Sequence, residues 1–403
     1  MFVAVRILQV FLWGERVGAM SVTSSGEVVF EYDERFRRRG LEISPFMIPT
    51  STAKYYCSQF QLPRGAFYGL PGVFADSLPD SFGNRLVADW MKRNGIDIGA
   101  ISPLDRLAYI GSRGMGALVY EPQLSPRERQ PHALDMRRLV EEARLALNAD
   151  LGKVSGEDAL REIIRVGTSA GGAQAKAVVG WNRDTGEFRV GTEDLPEGFE
   201  HWIIKFSPPG TDFGEDEFKV YEKARSFGID MSESCLYDFE GTRHFMTKRF
   251  DRDGNRRLHV ETYCALKHLP MNAPRQLLGY EGLFETIAEM GLGYSAMEQM
   301  FRRMVFNIVN REMDDHTKNF SFLMDENGRW SLAPAYDLTG AYVSPGDEAM
   351  FEFTNHHALS VNGRFSSIRR EDLLSLASRF GIGSAGQRVI ADWGMAVGCG
   401  NLR

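Results

Sequence analysis

An ordered series of segments constrains this chain more than any single motif in it. Between residues 167 and 337 the sequence runs through a glycine-rich stretch, a strand with one cation, an acidic helix, a long helix ending on a polar loop, a hairpin, and Asp337. The glycine-rich stretch is Gly167-Thr-Ser-Ala-Gly-Gly-Ala-Gln-Ala-Lys176. It flows into a strand at Ala177–Trp181, and Phe188–Val190 returns past the turn Asn182–Gly186. His201–Phe206 reads as a strand carrying Lys205, followed by a helix over Asp216–Phe227. A further helix is expected over Met297–Arg311, with Met297, Met300, Phe301, Met304 and Val305 as core. It stops at Asp314-Asp-His-Thr-Lys-Asn319. The hairpin follows as Phe320–Met324, the turn Glu326-Asn-Gly328, and Trp330–Leu332.

The N-terminal region has a different pattern. Val3, Val5 and Ile7 alternate, and turns at Gly14 and Ser24-Ser-Gly26 divide residues 1–32 into strands. An amphipathic helix is expected over Phe82–Lys92. Pro122 to Pro131 is polar and carries three prolines, as a linker would, and helices follow at Met136–Asn148 and Asp158–Val166, the latter with Ser155 as cap. At 403 residues the chain exceeds what one hydrophobic core supports, so two or three domains are expected. A net charge of −7 offers no basic footprint for nucleic acid. Four scattered cysteines without a C-x-x-C pair suit a reducing, cytoplasmic setting and argue against structural zinc. The first 13 residues, interrupted by Arg6 and Gln9, do not read as a signal peptide. No run reaches the ~18 apolar residues of a membrane span.

The chemistry concentrates at Asp314 and Asn319. An Asp followed five positions later by Asn is the spacing of a phosphotransfer loop, where the carboxylate accepts the attacking hydroxyl's proton and the amide oxygen holds a metal ion. Asp337 is a candidate second ligand, because Mg²⁺ takes few protein carboxylates alongside phosphates and water. Taken alone, this spacing is also that of an ordinary polar loop between helix and strand. Lys205 is either a phosphate-gripping lysine or an edge-strand charge facing water. Glu215, Glu217 and Glu222 follow it, and Glu217 is the favoured partner; an acidic first turn favoured by the helix dipole is the bland alternative. Ser169, Ala170, Gly171, Gly172, Ala173 and Gln174 allow close backbone approach to phosphate oxygens, or form a simple turn.

Ser169-Ala-Gly-Gly-Ala-Gln-Ala-Lys176, Ile203-Ile-Lys205, Lys248-Arg-Phe-Asp-Arg252, Asp314-Asp-His-Thr-Lys-Asn319 and Ala335-Tyr-Asp337 together resemble the HipA family of serine/threonine kinases, toxins of bacterial type II toxin–antitoxin pairs. Gly18 and Phe74–Asn84 resemble that family's accessory domain. The resemblance implies an α+β, two-lobed kinase-like fold with a β-rich N-terminal domain. Its divisions are 1–122 for the accessory domain, 123–250 for the N-lobe region, and 251–403 for a mainly helical C-lobe. It implies ATP and Mg²⁺ as cofactors, with Asp314 as catalytic base supported by His316 and Lys318, and Asn319 and Asp337 as metal ligands. Lys205, Glu217, Phe250 and the glycine-rich loop would contact nucleotide, and Ser169 would be the autophosphorylation site, with Thr168 beside it. The implied partners are a protein with a Ser or Thr acceptor, such as an aminoacyl-tRNA synthetase, and a helix-turn-helix antitoxin through which DNA is met only indirectly. A pseudokinase scaffold and a small-molecule kinase are the rival readings.

Several positions depart from the family pattern. Arg257-Leu-His-Val-Glu-Thr262 carries Val260 and Thr262 where Gln and Asp are common, and Lys248 stands at a hinge that is usually acidic or neutral. These put adenine-pocket detail in question. Asp315 is expected to point to solvent, His356 and His357 to lie on the surface, and the basic cluster Arg35, Arg37, Arg38 and Arg39 to form a solvated loop.

Overall fold

The computed structural model describes residues 4–57, 64–79, 92, 95, 97, 99, 101–124, 133–147, 175–192, 194–208, 210–340 and 355–393. The expected helix Phe82–Lys92 (save Lys92), the helix Asp158–Val166, Thr168 and the whole run Ser169, Ala170, Gly171, Gly172, Ala173, Gln174 lie outside them. The chain divides into two compact units: Met1–Glu215 with Glu233–Glu261 and Met324–Gly328, and Asp216–Ser232 with Thr262–Leu323 and Arg329–Arg403.

The first unit contains two antiparallel five-stranded sheets. Strands β1 (Ile7–Leu12), β2 (Glu15–Val22), β3 (Val28–Tyr32), β4 (Tyr55–Cys57) and β5 (Leu118–Glu121) lie in the order β4-β3-β2-β1-β5. The period-2 pattern places Leu8, Val10 and Leu12 of β1, and Val28, Phe30 and Tyr32 of β3, on the buried side. Gly18 allows β2 and β3 to meet tightly: a Cβ there would lie 2.2 Å from the Glu31 carbonyl oxygen. The basic cluster is a helix, Glu34–Arg39, rather than a loop. Asp33 caps it by accepting the Arg35 N–H at 2.8 Å, and Gly40 ends it in the left-handed conformation. Its arginines pair with carboxylates: Arg39 with Glu15, and Arg37 and Arg38 with Glu34.

The second sheet holds β6 (Lys176–Trp181), β7 (Phe188–Val190), β8 (Glu200–Lys205), β9 (Ser234–Phe239) and β10 (Thr242–Lys248), ordered β7-β6-β8-β10-β9. The helix Met136–Leu147 covers it, packing Met136, Leu139, Val140 and Ala143 among Val179, Trp202, Ile204 and Met246. β6 is buried from Lys176 to Gly180, so its sequence shows an unbroken apolar run instead of alternation.

Residues 249–261 join the two sheets' surroundings within this unit. Asp251 accepts the Gly116 N–H at 2.7 Å and pairs with Arg249 and Arg252, all three side chains lying within 3% of full burial. Trp13 Nε1 donates to the Arg257 carbonyl, Arg257 to the Ser112 carbonyl, and Ser44 Oγ to Glu261. His259 Nε2 lies 2.8 Å from the Ile43 carbonyl. The buried side chains of His259 and Glu261 thus reach Ile43 and Ser44, and Thr262 caps the helix Tyr263–Leu266 by accepting the Ala265 N–H. Lys248, the last residue of β10, pairs with Glu200.

Burial pushes the His259 imidazole down from 6.5 to about 4, against the smaller pull of the Ile43 carbonyl. A depressed folded-state pKa means the unfolded chain binds the extra proton. His259 therefore contributes about 3 kcal/mol above pH 6.5 that is lost as pH falls towards 4. Urea unfolding across that range should give a shallower pH dependence for His259→Gln than for the unsubstituted protein. Glu261, held above its ordinary range by burial, tilts both proteins alike, so it drops out of the difference. Parallel curves would refute the assignment.

The second unit is mainly helical. Gly293–Asn310 packs against Tyr280–Glu289 and Gly383–Asp392, with the expected Met300, Phe301, Met304 and Val305 buried together with Phe306, while Met297 is only half-buried. Gly386 permits the last of these contacts, since a Cβ there would come within 2.6 Å of Ala377 and 3.4 Å of Phe301. Among the described residues no helix is long and apolar enough to cross a membrane.

Candidate active site

The helix Gly293–Asn310 delivers the polar loop. Arg311 adopts a left-handed conformation at φ 55°, and its N–H and that of Glu312 close back on the helix, Glu312 N–H on the Asn307 carbonyl at 2.9 Å. That reversal ends the helix without the usual glycine. The chain then passes Asp314, and Thr317–Asn319 forms a single 3-10 turn, pinned by Thr317 Oγ1 donating to the Leu269 carbonyl at 2.8 Å. Asn319 Nδ2 donates to the Asp314 carbonyl at 2.7 Å. With the amide nitrogen used there, Oδ1 is the atom left for a cation.

Asp337 arrives from the other side. Strands Ser321–Met324 and Trp330–Leu332 precede it, and Ala333 donates its N–H to Ser321 at 2.9 Å. Buried Arg303 donates to the Ala333 carbonyl at 2.7 Å, and Ala335 forms a parallel bridge to Met231. Asp337 itself sits at φ 56°, a conformation that few non-glycine residues adopt and one that clusters at functional sites. Asp314, Asn319 and Asp337 line one pocket, with Glu312 and Asp315 in its wall. Arg303 and Asn307 also line it, and Arg303 Nε and Asn307 Oδ1 are buried with no hydrogen-bond partner among the described residues.

Burial raises the Asp314 pKa. His316 opposes the rise, and Asp337 and Asp315 add to it. The side chain keeps 55% of its surface open to solvent, which screens these charges. His316 Nε2 lies 3.6 Å from Asp314 Oδ1, longer than a hydrogen bond. Lys318 is exposed, and its carbonyl accepts the Tyr336 hydroxyl at 2.6 Å.

The two carboxylates flanking Asp314 are both buried. Asp315, expected in solvent, is 1% exposed: it accepts the Tyr280 hydroxyl at 2.7 Å and the Ala358 N–H at 2.7 Å, and lies 3.0 Å from His357 Nδ1. His357 is accordingly buried and not a surface residue. Glu312 accepts main-chain N–H groups from Asp314 at 3.2 Å, Thr339 at 2.7 Å and Gly340 at 2.6 Å. Burial pushes its pKa up to about 7, against the pull of those three donors.

In the first unit Lys205 is buried on β8 with Nζ 5.7 Å from the centre of the Phe245 ring, so it is not an edge charge facing water. Lys176, also buried, stands directly opposite it across the β6–β8 register. Phe250 belongs to this unit, whereas Glu217, buried in the helix Phe213–Ser226, belongs to the second. The Lys176 pairing follows from strand register, for which the sequence carries no direct signal.

Residues 8–121 match the HipA N-terminal domain and residues 168–397 the HipA-like C-terminal domain. The chain belongs to the HipA family. It is 29% identical over 162 residues to a protein of Haemophilus influenzae named "Putative kinase", covering 37% of this chain and 47% of that one. It is 25% identical over 193 residues to "Putative kinase Y4dM" of Sinorhizobium fredii, covering 44% and 46%. The chain thus spans about half the length of the curated relatives it matches. The HipA of Shewanella oneidensis, solved in complex with HipB and operator DNA, superposes with a TM-score of 0.65 at 18% identity over 98% of this chain and 92% of that one. That likeness establishes the fold: α+β, kinase-like, with a β-rich N-terminal region.

Proposed function

We propose that this HipA-family protein is an ATP- and Mg²⁺-dependent serine/threonine kinase of the toxin type. The observation that carries the reading is the convergence of Asp314, Asn319 and Asp337 on one pocket, reached from two separate chain segments. An Asp carboxylate and an Asn amide oxygen are hard donors of the kind Mg²⁺ prefers, so Asn319 and Asp337 would hold it. Bound there, the ion would neutralise charge on the phosphates. Asp314, its pKa raised, orients the acceptor hydroxyl and takes its proton, with His316 and Lys318 supporting the loop. Lys205 is assigned to the nucleotide phosphates on the resemblance alone. Glu217, Phe250 and Ser169 to Gln174 are assigned to nucleotide contact on the resemblance. On the same footing residues 1–122 are the accessory domain, 123–250 the N-lobe region and 251–403 the C-lobe. The acceptor is a protein, and the Shewanella complex suggests a DNA-binding antitoxin as partner.

Incubation with Mg·ATP should place phosphate on Ser169, read by mass spectrometry. A phosphoserine there adds nearly two negative charges beside the nucleotide phosphates and should lower activity. Nucleotide binding without transfer to Ser169 or to any added protein would favour the pseudokinase reading instead.

A further inference from the structure

The geometry points to Glu312 as a positioning residue that fixes the catalytic loop to the metal-side segment; this rests on the kinase reading above. Its carboxylate is 1% exposed, and both oxygens are used. Oε1 accepts the N–H of Asp314, the proposed base. Oε2 accepts those of Thr339 and Gly340, which lie two and three residues beyond Asp337. One side chain therefore ties the backbone under the base to the backbone following the metal ligand. No main-chain hydrogen bond directly links these two segments among the described residues. Neither Asp314 nor Asp337 is in regular secondary structure, and Asp337 has a left-handed backbone, so local hydrogen bonding alone does not set their separation.

The arrangement needs a carboxylate. Three N–H donors converge on two oxygens, and an amide of the same shape offers only one. In Glu312→Gln, if the amide oxygen serves Thr339 and Gly340, its NH₂ must face the Asp314 N–H, donor against donor. The reverse orientation frees Thr339 and Gly340. Either way one side of the tie is lost while the volume of the side chain is kept. Asp315 holds the loop from its other flank through Tyr280, His357 and Ala358, so the loop remains anchored and the loss is one of relative placement.

The test compares the unsubstituted full chain with Glu312→Gln and Glu312→Ala, each first shown to be folded by circular dichroism and thermal unfolding. Two quantities are read: kcat for γ-phosphate transfer, and the affinity for a non-hydrolysable ATP analogue by calorimetry with and without Mg²⁺. The expected result for Glu312→Gln is a fall in kcat of roughly 10–100-fold, the usual cost of removing a group that orients a ligand. The Mg²⁺-dependent gain in analogue affinity should shrink with it, and affinity without Mg²⁺ should stay unchanged. A folded Glu312→Gln protein with normal kcat and a normal Mg²⁺ effect would overturn the inference, as would a loss confined to thermal stability. Should Glu312→Gln not fold, Glu312→Ala is read in the same two ways, and a Mg²⁺ effect retained there would also overturn it. If the unsubstituted protein neither transfers phosphate nor binds the analogue more tightly with Mg²⁺, the kinase reading itself has failed, a result distinct from the loss of the Glu312 tie.

Discussion

Asp314→Asn should reduce γ-phosphate transfer by about 10²–10⁴-fold, the usual worth of a positioned general base. The substitution is clean because the contacts that shape the loop around this residue use its main chain. Its carbonyl accepts Asn319 Nδ2, and its N–H donates to Glu312. Asn keeps both and removes only the proton-accepting oxygen. The negative charge near Asp337 and Asp315 also falls by one, which relieves repulsion. Nucleotide affinity should therefore hold within about a factor of two while the rate collapses. Initial rates and calorimetry on the same preparation separate the two quantities. Transfer near the unsubstituted level would remove Asp314 from the role of base.

The largest expected effect on stability lies in the first unit, at Asp251→Ala. Asp251 is the shared anion of two buried guanidinium groups, accepting Arg249 Nε at 2.9 Å and lying 2.7 Å from Arg249 Nη2 and Arg252 Nη1. Burial alone would raise its pKa, but the two arginines prevail and hold it well below the usual carboxylate range. Removing it leaves two cations away from water with only main-chain acceptors for Arg252, and strips the Gly116 N–H of its acceptor. Breaking a buried pair in this way costs about 3–5 kcal/mol, a large share of the ~5–15 kcal/mol that holds a domain together. Urea unfolding of the first unit should show the midpoint fall accordingly. A loss below about 1 kcal/mol would mean that water reaches the arginines.

These two sites were not equally legible in the sequence. The helix before Asp314, the loop and the strands after it were readable because their signals are local: buried positions recur at helical spacing through Met300, Met304 and Val305, and the Asp-to-Asn interval is five residues. On the second sheet the bounds expected for β6, β7 and β8 agree to within a residue, whereas β9 and β10 were not expected as strands. What escaped depends on partners remote in the chain. Asp315 looked like a surface charge because nothing near it reveals that His357, 42 residues on, comes to meet it. Glu312 carries no local sign of its role, since two of the N–H groups it accepts lie 27 and 28 residues away. Asp251 carries no local sign that Gly116 is its donor across 135 residues. The basic helix Glu34–Arg39 was missed for the opposite reason: its capping residues Asp33 and Gly40 were in view, but the run of arginines drew the reading towards solvent.

The segment 249–261 also bears on how such a protein can be inherited. Its polar side chains end on Gly116, Ile43 and Ser44, and its main chain accepts Trp13. Each of these partners lies in the N-terminal sheet region. Exchange of that region between relatives would strand buried groups on both sides of the join, so a recombinant would begin with several unmet hydrogen bonds in its interior. The N-terminal part and this segment should therefore pass from ancestor to descendant together, and substitutions in one should be answered in the other.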